Sequence, residues 1–557
     1  MKESKNKKEK LIWGELNLDY SGENNYASFL SSTSNVHSYP AKAVPNMIFD
    51  LLENISNQYK VNSVLDPFVG SGTTAVEAKY MGIDFYGSDL NPLAILLSRT
   101  KVLNLTNPIS TMKTIKDFLM HLQDGYDNAE NINMVSFQNI EYWFKKKNIR
   151  ELSYLKSSIS EFLIKRTLDI REEYALILCT AFSSTIRMSS LSRNSEFKLY
   201  RMSPSDIEKF SINSIDIFIN NVNNIINMLE ITRNVYKNNV HSTIELDNAK
   251  HLKFLKDKKV DFILTSPPYG DSRSTVAYGQ FSRLSLQWMS DLMNEHLNIK
   301  VYSENCDEYL LGGKKSEFEV TDDIIIDKSK NLRELVLKMD NVIDNELAQL
   351  QKMKKNLVEI QNTIFEGKDI ALVDIRADLL ELIRERIRLR SYRHFNGEAS
   401  YTIKEVRTFS IEETNEFFDK LFAANKKSKL EALNTLEEIL PSVMETIKRK
   451  IKSVSRRKEE VLNFFKDLYQ VVLRTNEVLR DKGVQAWIVG HRTVLGKINI
   501  NMMEILNDWF INIGYQKITD LTREYSFKRL PYHINSTINR NEQIQTMMQE
   551  YILIVQK

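Results

Sequence analysis

The sequence predicts an α/β fold in which a mostly parallel sheet is interrupted by two large helical insertions. Short apolar runs at residues 64–66 and 261–264 each end in turn-forming residues, which is typical of buried parallel strands that lead into loops. Helical patterns alternate with such runs at both ends of the chain, whereas two long stretches between them are helical throughout. Glycine is scarce, at 17 of 557 residues, which favours helix over tightly turned structure.

The N-terminal part of the predicted sheet contains two strands. A helix is expected at residues 44–55, followed by the first strand at 64–66. The turn after that strand leads into a helix at 75–81 and a second strand at 84–88. Because two parallel strands need a crossover connection, usually a helix, this order indicates that they are parallel neighbours.

The same alternation returns in the middle and at the C-terminal end of the chain. The predicted elements are a strand at 243–246, a strand at 261–264, a helix at 462–480 stopped at 481–483, a strand at 486–489, a helix at 502–513 and a strand at 551–555. An apolar strand so close to the end of the sequence predicts that it closes the sheet.

Two helical stretches divide these elements. Within the second stretch, residues 332–364 place Leu, Ile and Val at coiled-coil spacing between Glu and Lys, which predicts an antiparallel helical arm. The predicted division is an N-terminal extension at 1–35, a core made of 36–103, 240–290 and 461–557, a first helical insertion at 104–239 and a second at 291–460.

Composition and charge exclude several classes of protein. The chain carries 76 Lys and Arg against 73 Asp and Glu, and this net charge of +3 is too small for a histone-like polyelectrolyte. Its two cysteines exclude a disulfide scaffold and a cysteine-based zinc site, and no histidine spacing indicates a metal site. No signal peptide or membrane-spanning apolar run is recognisable, so we expect a cytoplasmic protein.

The turn after the first strand is a candidate cofactor loop. Gly70-Ser71-Gly72 brings bare backbone close to a ligand and aims the N-terminus of the following helix at it. With Ala75, and with Asp89 at the end of the next strand, the spacing also fits a dinucleotide fingerprint in which Asp89 would accept hydrogen bonds from ribose hydroxyls. The loop alone does not distinguish between adenosine-bearing cofactors, so a nicotinamide-dependent oxidoreductase stays open at this point.

A second motif, Ser266-Pro267-Pro268-Tyr269, follows the strand at 261–264. The two prolines fix the backbone and remove two N–H donors, which leaves a rigid row of hydrogen-bond acceptors. Such a row suits the exocyclic amine of a nucleobase, because hydrogen bonds from the amine draw it out of conjugation with the ring and make its nitrogen more nucleophilic. Tyr269 offers a ring on which a base flipped out of the duplex would stack.

Together these motifs resemble those of the DNA amino-methyltransferases, which use S-adenosylmethionine. The string Asp66-Pro67-Phe68-Val69-Gly70-Ser71-Gly72-Thr73 is similar to that family's cofactor loop. The resemblance implies a Rossmann-like, seven-stranded methyltransferase core with S-adenosylmethionine as its cofactor. The cofactor-binding residues that it implies are Lys42, Asp66, Phe68, Gly70, Gly72, Thr73, Asp89 and Asp247.

The resemblance also implies which part of the cofactor each residue contacts. Asp66 and the two loop glycines would surround the methionine part, with Lys42 as a further contact there. Asp89 would hold the ribose, and Asp247 would lie near the adenine.

Within this family, Ser-Pro-Pro-Tyr usually accompanies methylation of cytosine at N4, whereas Asp or Asn at the first position accompanies methylation of adenine at N6. The resemblance therefore implies a site-specific cytosine-N4 DNA methyltransferase of a restriction-modification or related host-defence system, with the catalytic residues Ser266, Pro267, Pro268 and Tyr269. Double-stranded DNA would be the substrate, and a cognate restriction endonuclease would be the partner. Adenine-N6 methylation, RNA base methylation and a non-enzymatic nucleic-acid-binding protein stay open as alternatives.

Clustered arginines are the candidate DNA contacts, because phosphates attract cations and Arg reads base edges. Arg187 and Arg193 lie in a Ser- and Arg-rich stretch of the first insertion, and Arg388, Arg390 and Arg393 are interleaved with aromatic residues in the second. The second insertion is accordingly the candidate DNA-recognition region. Basic helical runs are also common as solvated faces paired with Glu, which is the alternative for each cluster.

Overall fold

The computed structural model describes residues 36–40, 42–193, 197–237, 239–270, 276–365, 392–394, 402–404, 441, 444–445, 447–524 and 549–557. The strands are β1 (Ser63–Asp66), β2 (Asp84–Asp89), β3 (Ser242–Leu246), β4 (Val260–Thr265), β5 (Tyr392–His394), β6 (Thr402–Lys404), β7 (Leu479–Gly490), β8 (Arg492–Val494), β9 (Ile498–Ile500), β10 (Gln516–Glu524) and β11 (Gln549–Gln556).

Seven of these strands form the central sheet of the described chain, in the order β10-β11-β7-β4-β1-β2-β3. Strand β1 pairs in parallel with β2 and β4, β2 pairs in parallel with β3, and β4 pairs in parallel with β7. Strand β11 runs antiparallel to both of its neighbours, β7 and β10. The predicted α/β fold with a mostly parallel, seven-stranded sheet is therefore confirmed.

Helices cover both faces of this sheet. They are α1 (Pro45–Gln58), α2 (Thr73–Met81), α3 (Pro92–Lys101), α4 (Pro108–Met120), α5 (Leu122–Asp127), α6 (Ile140–Trp143), α7 (Lys146–Ile164), α8 (Leu168–Ser189), α9 (Pro204–Lys209), α10 (Ser214–Val235), α11 (Tyr278–Leu297), α12 (Asp322–Asp327), α13 (Lys330–Phe365), α14 (Arg457–Val478) and α15 (Met502–Asn512). Proline marks the start of several of them, because the first helical position needs no N–H donor.

Alternate residues of the strands supply two hydrophobic cores, one on each face. Val64 and Phe262 point into a core that includes α1, α3, α8 and α11. Their neighbours Leu65 and Ile263 point into a second core with α13, α14 and α15. This alternation follows from the two-residue repeat of a strand and explains why the central strands are apolar on both sides.

Helices of both predicted insertions take part in these cores. In the first insertion, α8 is buried along most of its length, and Thr180 Oγ1 lies 2.8 Å from Thr100 Oγ1 of α3. In the second, Leu332 and Met339 of α13 belong to the core on the opposite face. The insertions thus build the layers that flank the sheet as well as extending from it.

The structure differs from the predicted elements near the C-terminal end. Helix α14 ends at Val478, and residues 481–483 lie inside β7 instead of stopping a helix, because this strand begins with exposed polar residues that resemble a helix end. Strand β10 was not expected, since its sequence is mostly polar. It forms the edge of the sheet, so β11 lies between two strands and does not close the sheet as predicted.

The long helix expected at 332–364 is present as α13, whereas residues 366–391, which follow it, lie outside the described ones. None of the helices in the described ranges is long and apolar enough to span a bilayer.

Candidate active site

A cavity opens at the edge of the sheet where the parallel strands end. Ligands of open α/β sheets bind at this edge. The turns after β1, β2, β3 and β4 bring Asp66, Asp89, Asp247 and Ser266 to the cavity wall. Further predicted site residues in the wall are Lys42, Phe68, Gly70, Thr73 and Pro268. Three further predicted residues do not line the cavity, but each is adjacent in sequence to a residue that does: Gly72, Pro267 and Tyr269.

The turn after β1 requires glycine at two positions. Gly70 has a φ of +50° and Gly72 a φ of +84°, in the left-handed region where a Cβ is strained. At Gly72 a Cβ would also lie 2.8 Å from the Cβ of Ser98 on α3, which is shorter than real carbon contacts. Because Gly72 is the N-cap of α2, its missing side chain lets that helix begin against α3 and at the cavity wall.

Asp66, the last residue of β1, holds this turn in place. Its carboxylate accepts hydrogen bonds from Thr74 Oγ1 and Thr265 Oγ1, each at 2.8 Å, and from the backbone N–H of Phe68 at 3.1 Å. Burial raises the pKa of this carboxyl group to about 6. Asp66 therefore ties the turns after β1 and β4 together as well as lining the cavity.

Asp89, the last residue of β2, lies on the other side of the glycine turn. One carboxylate oxygen accepts a hydrogen bond from the N–H of Gly70 at 3.0 Å, and the other from the N–H of Asn91 at 2.8 Å. Burial raises the pKa of Asp89 to about 6, and the negative charge of Asp66 adds to that shift. Each oxygen of a carboxylate accepts more than one hydrogen bond, so Asp89 retains capacity for a ligand hydroxyl.

Asp247 lies at the third strand end. It accepts hydrogen bonds from the N–H groups of Asn248 at 2.8 Å and Phe254 at 3.0 Å, which fix the turn after β3. Asn248 and Ala249 also line the cavity. Strands β1 and β2 lie between β3 and β4 in the sheet, so this turn and the turn after β4 lie at opposite ends of the cavity.

The turn after β4 carries Ser266, Pro267, Pro268 and Tyr269. Neither proline has an N–H, so the main chain at these two positions offers only carbonyl acceptors. The hydroxyl of Tyr269 donates a hydrogen bond to Glu550 Oε1 at 2.8 Å and lies 3.5 Å from Ser266 Oγ. The cavity thus lies between the glycine turn with its two carboxylates and the turn that carries Ser266.

Comparison with known proteins identifies the family of the chain. The N6/N4 DNA methylase family model matches residues 1–98, a span that contains the glycine turn and Asp89. The Type II methyltransferase M.MvaI of Kocuria varians is 32% identical over 338 residues, which are 58% of this chain and 71% of that protein. The chain belongs to the DNA amino-methyltransferase family.

A second curated protein is similar to a shorter part of the chain. The Type II methyltransferase M.MjaII of Methanocaldococcus jannaschii is 27% identical over 154 residues, which are 25% of this chain and 28% of that protein. No solved structure matches the chain significantly. Membership of a DNA methyltransferase family excludes the nicotinamide-dependent oxidoreductase that the glycine turn alone left open.

DNA amino-methyltransferases use S-adenosylmethionine as methyl donor, and the cavity wall fits this cofactor. Ser71 is 4% exposed and lines the cavity, and its hydroxyl has no hydrogen-bond partner among the described residues. A polar ligand in the cavity would satisfy it, since a buried hydroxyl without a partner is unfavourable. Asp66 and Asp89 suit the positively charged sulfonium and the ribose hydroxyls of the same ligand.

Two lining residues come from the second insertion, and the sequence analysis missed them. Leu310 and Leu311 face the cavity, and the next residue, Gly312, donates its N–H to Asp467 Oδ2 at 2.7 Å. The paired glycines that follow Leu311, in a chain with few glycines, were a signal that the helical pattern breaks here. The described cavity wall is therefore completed by a segment from outside the predicted core.

Aromatic residues form another part of the wall that the motifs did not reveal. Tyr39 and Tyr278 line the cavity, with their ring centres 6.0 Å apart. Tyr39 also accepts a hydrogen bond from Asn91 Nδ2 at 3.2 Å. Lys42, in the same N-terminal segment, lines the cavity and is exposed, whereas His37 is buried and hydrogen-bonded to Ser183 Oγ at 2.9 Å.

The arginines expected to contact DNA occupy different environments. Arg187 is 8% exposed, and its guanidinium lies 4.1 Å from the centre of the Phe281 ring. Burial lowers the pKa of Arg187 to about 10. A side chain packed in this way stabilises the position of Phe281 and has little surface of its own, and its contact with DNA stays a prediction.

Arg193, by contrast, is exposed. Its N–H donates a hydrogen bond to the carbonyl of Tyr200, which places the two residues side by side. Arg393 lies in β5, whereas Arg388 and Arg390 lie outside the described residues. The DNA contacts of these arginines stay predictions.

Proposed function

We propose that this DNA amino-methyltransferase transfers a methyl group to the N4 amine of a cytosine that is flipped out of double-stranded DNA. The observation that supports the choice of base is Ser266, which lies at the cavity wall. At this position the adenine-N6 members of the family have Asp or Asn. Within the family, serine in this position usually accompanies cytosine-N4 methylation. S-adenosylmethionine, when bound, supplies an electrophilic methyl group to the amine.

The residues of the turn after β4 would prepare the amine for attack. Its nitrogen is a poor nucleophile because its lone pair is delocalised into the ring. Ser266 Oγ and the carbonyl of Pro267 would accept its two hydrogens and favour a tetrahedral nitrogen. The ring of Tyr269 would stack on the base, a contact that contributes about 1–3 kcal/mol. Positioning and hydrogen bonding would then supply most of the rate enhancement.

A covalent enzyme intermediate is not part of this proposal. Cys179 and Cys306 are both fully buried, at 0% exposure. Burial raises the pKa of Cys179 to about 12 and that of Cys306 further, so neither thiol is a thiolate at neutral pH. Direct displacement at the sulfonium needs no thiolate.

The duplex would approach beside Phe281, where an exposed surface lies next to the cavity. Phe197 and Tyr200 are each 47% exposed, and the ring of Phe197 lies 6.2 Å from that of Phe281. Arg193 adds a positive charge beside Tyr200. Exposed aromatic rings next to a cation match the chemistry of unstacked bases and phosphates.

The biological setting is part of the same proposal. M.MvaI and M.MjaII are both Type II methyltransferases by name. This similarity supports a role in a cytoplasmic restriction-modification or related host-defence system, with a cognate restriction endonuclease as partner. The methyl mark would then protect host DNA at the sequence that the endonuclease cuts.

Nucleoside analysis of methylated DNA tests the proposal. The purified protein is incubated with unmethylated plasmid DNA and S-adenosylmethionine that carries a labelled methyl group, and the digested nucleosides are separated by mass spectrometry. We expect label in N4-methylcytosine, and far less of it with the Ser266→Ala variant. Label in N6-methyladenine would contradict the choice of base, and the same DNA, sequenced, would give the recognition site.

A further inference from the structure

Glu550 occupies a position in the site that neither the motifs nor the relatives assign. It is the second residue of β11, and because β11 runs antiparallel, its beginning lies at the edge where the parallel strands end. Its Oε1 accepts the hydrogen bond from Tyr269 at 2.8 Å, and its Oε2 lies 2.5 Å from Nη1 of Arg523. The pair is buried, with side-chain exposures of 12% and 10%.

This contact sets the direction of the hydrogen bonds in the turn after β4. Serine and tyrosine hydroxyls can each donate or accept, whereas an ionised carboxylate only accepts. Tyr269 must therefore give its hydrogen to Glu550, which leaves a lone pair of the tyrosine oxygen for the Ser266 hydroxyl at 3.5 Å. The Ser266 hydroxyl is then placed to give its hydrogen to Tyr269, which would leave its own lone pairs for a ligand in the cavity.

We propose that Glu550 is a positioning residue which, paired with Arg523, orients the Tyr269 and Ser266 hydroxyls so that Ser266 accepts a hydrogen bond from the target amine. Without this orientation the Ser266 hydroxyl could equally turn its hydrogen toward the amine nitrogen and occupy the lone pair that must attack. The inference rests on the proposed function only in requiring that the substrate is an exocyclic amine.

Arg523 gives the carboxylate the partner that it needs. A buried carboxylate without a counter-charge is strongly unfavourable. Arg523 stands directly opposite Glu550 in the pairing of β10 with β11, so the two strands deliver both charges to one place. The edge strand that the sequence analysis missed thus contributes directly to the site.

The experiment compares the chemical step in Glu550→Gln, Tyr269→Phe and the double variant. Rates are measured in a single turnover with saturating DNA and S-adenosylmethionine, and cofactor affinity is measured by calorimetry. The side-chain amide that Glu550→Gln introduces can donate to the tyrosine and reverse the chain of hydrogen bonds. We therefore expect the rate to fall about tenfold or more, with cofactor affinity within twofold of wild type. Tyr269→Phe breaks the same chain, so the double variant should be no slower than Tyr269→Phe alone.

Two controls separate orientation from general damage to the edge of the sheet. Asp520→Asn removes an exposed charge of β10 that pairs with Lys517, and it should react at the wild-type rate. Arg523→Lys keeps the counter-charge and should retain most of the rate. Tyr269→Phe leaves the Glu550–Arg523 pair intact, so it tests the chain even if Glu550→Gln unfolds.

Wild-type rates in Glu550→Gln, or effects of the two substitutions that multiply in the double variant, would overturn the inference. Failure of the proposed function looks different. If the wild-type product is N6-methyladenine, the choice of cytosine fails, while the dependence of the rate on Glu550 still tests the orientation of Ser266, because adenine also presents an exocyclic amine.

Discussion

Lys250 and Asp467, which are 217 residues apart in the sequence, form a buried ion pair with Nζ of the lysine 2.7 Å from Oδ1 of the aspartate. Their side chains are 5% and 0% exposed. Asp467 also accepts hydrogen bonds from the N–H of Gly312 and from Ser316 Oγ, each at 2.7 Å. The pair therefore fastens the segment that carries Leu310 and Leu311 to the body of the protein.

Asp467→Asn should loosen this segment and with it the cofactor cavity. Removing one partner of a buried ion pair leaves an uncompensated charge and costs about 3–5 kcal/mol. We expect a clear fall in the thermal unfolding midpoint and weaker binding of S-adenosylmethionine by calorimetry. Asp340→Asn is the matched control, because its pair with Lys458 is 37–40% exposed and is worth about 1 kcal/mol or less. An unchanged midpoint in Asp467→Asn would contradict the fastening role.

Gly72→Ala should abolish cofactor binding, whereas Gly514→Ala should not. Both glycines have positive φ, +84° and +96°, so an added Cβ strains each by about 1–2 kcal/mol. At Gly72 that Cβ would also lie 2.8 Å from the Cβ of Ser98, while at Gly514 it would meet no described atom within 4 Å. Calorimetric titration with S-adenosylmethionine distinguishes the two. Equal loss of binding in both variants would mean that strain alone, and not the contact with α3, is responsible.

Cofactor binding should weaken as the pH falls through 6. Burial raises the pKa of Asp89 to about 6 from its usual 3.8, so the carboxylate becomes protonated below that pH and loses acceptor capacity for a ribose hydroxyl. At pH 5 about a tenth of the groups remain ionised, and we expect roughly tenfold weaker binding than at pH 7. Asp89→Asn should bind weakly at every pH, with only the residual dependence that Asp66, whose pKa is also about 6, contributes. A wild-type affinity independent of pH between 5 and 7 would contradict the ribose assignment.

The raised pKa of Asp89 also affects the stability of the protein without cofactor. Since burial opposes ionisation of Asp89 in the folded state, its contribution favours folding below the unfolded pKa of 3.8 and is lost as the pH rises through 6. Binding and stability therefore respond to this carboxyl group in opposite directions, which separates its two effects in experiment.

Phe197→Ala should weaken DNA binding without changing cofactor affinity. The ring is exposed beside Phe281, and stacking of one base on an aromatic ring contributes about 1–3 kcal/mol, so a loss of roughly 5- to 150-fold in DNA affinity is expected. Fluorescence anisotropy with a labelled duplex measures it. Leu168→Ala removes an equally apolar side chain, 79% exposed, at the far end of α8 and serves as control. If both substitutions act alike, Phe197 does not contact DNA specifically.

Most parts of the site that the sequence predicted belong to short local motifs. Gly70 and Gly72 stand within a few residues of Asp66, and Ser266 to Tyr269 are consecutive, so turn chemistry and resemblance were enough to find them. Asp89 was equally accessible because it ends the next strand along the chain.

The remainder depends on contacts between distant parts of the chain. Glu550 lies 281 residues after Tyr269, and nothing in its neighbourhood, apart from an apolar strand, marks it. Leu310 and Leu311 reach the cavity only because Asp467 binds the turn that follows them. The edge strand β10 has too few apolar residues to be recognised by periodicity, although its pairing with β11 places Arg523 in the site.

The position of β11 also has a consequence for the order in which the protein becomes an enzyme during synthesis. Every residue of the cavity wall in the described part of the chain precedes residue 312, so a nascent chain contains these residues long before the ribosome reaches β11. Glu550 is translated more than two hundred residues later. Chains released early would hold the pieces of a cofactor site without the strand proposed to orient Ser266, and on this proposal the DNA-modifying step would be the last capability to appear.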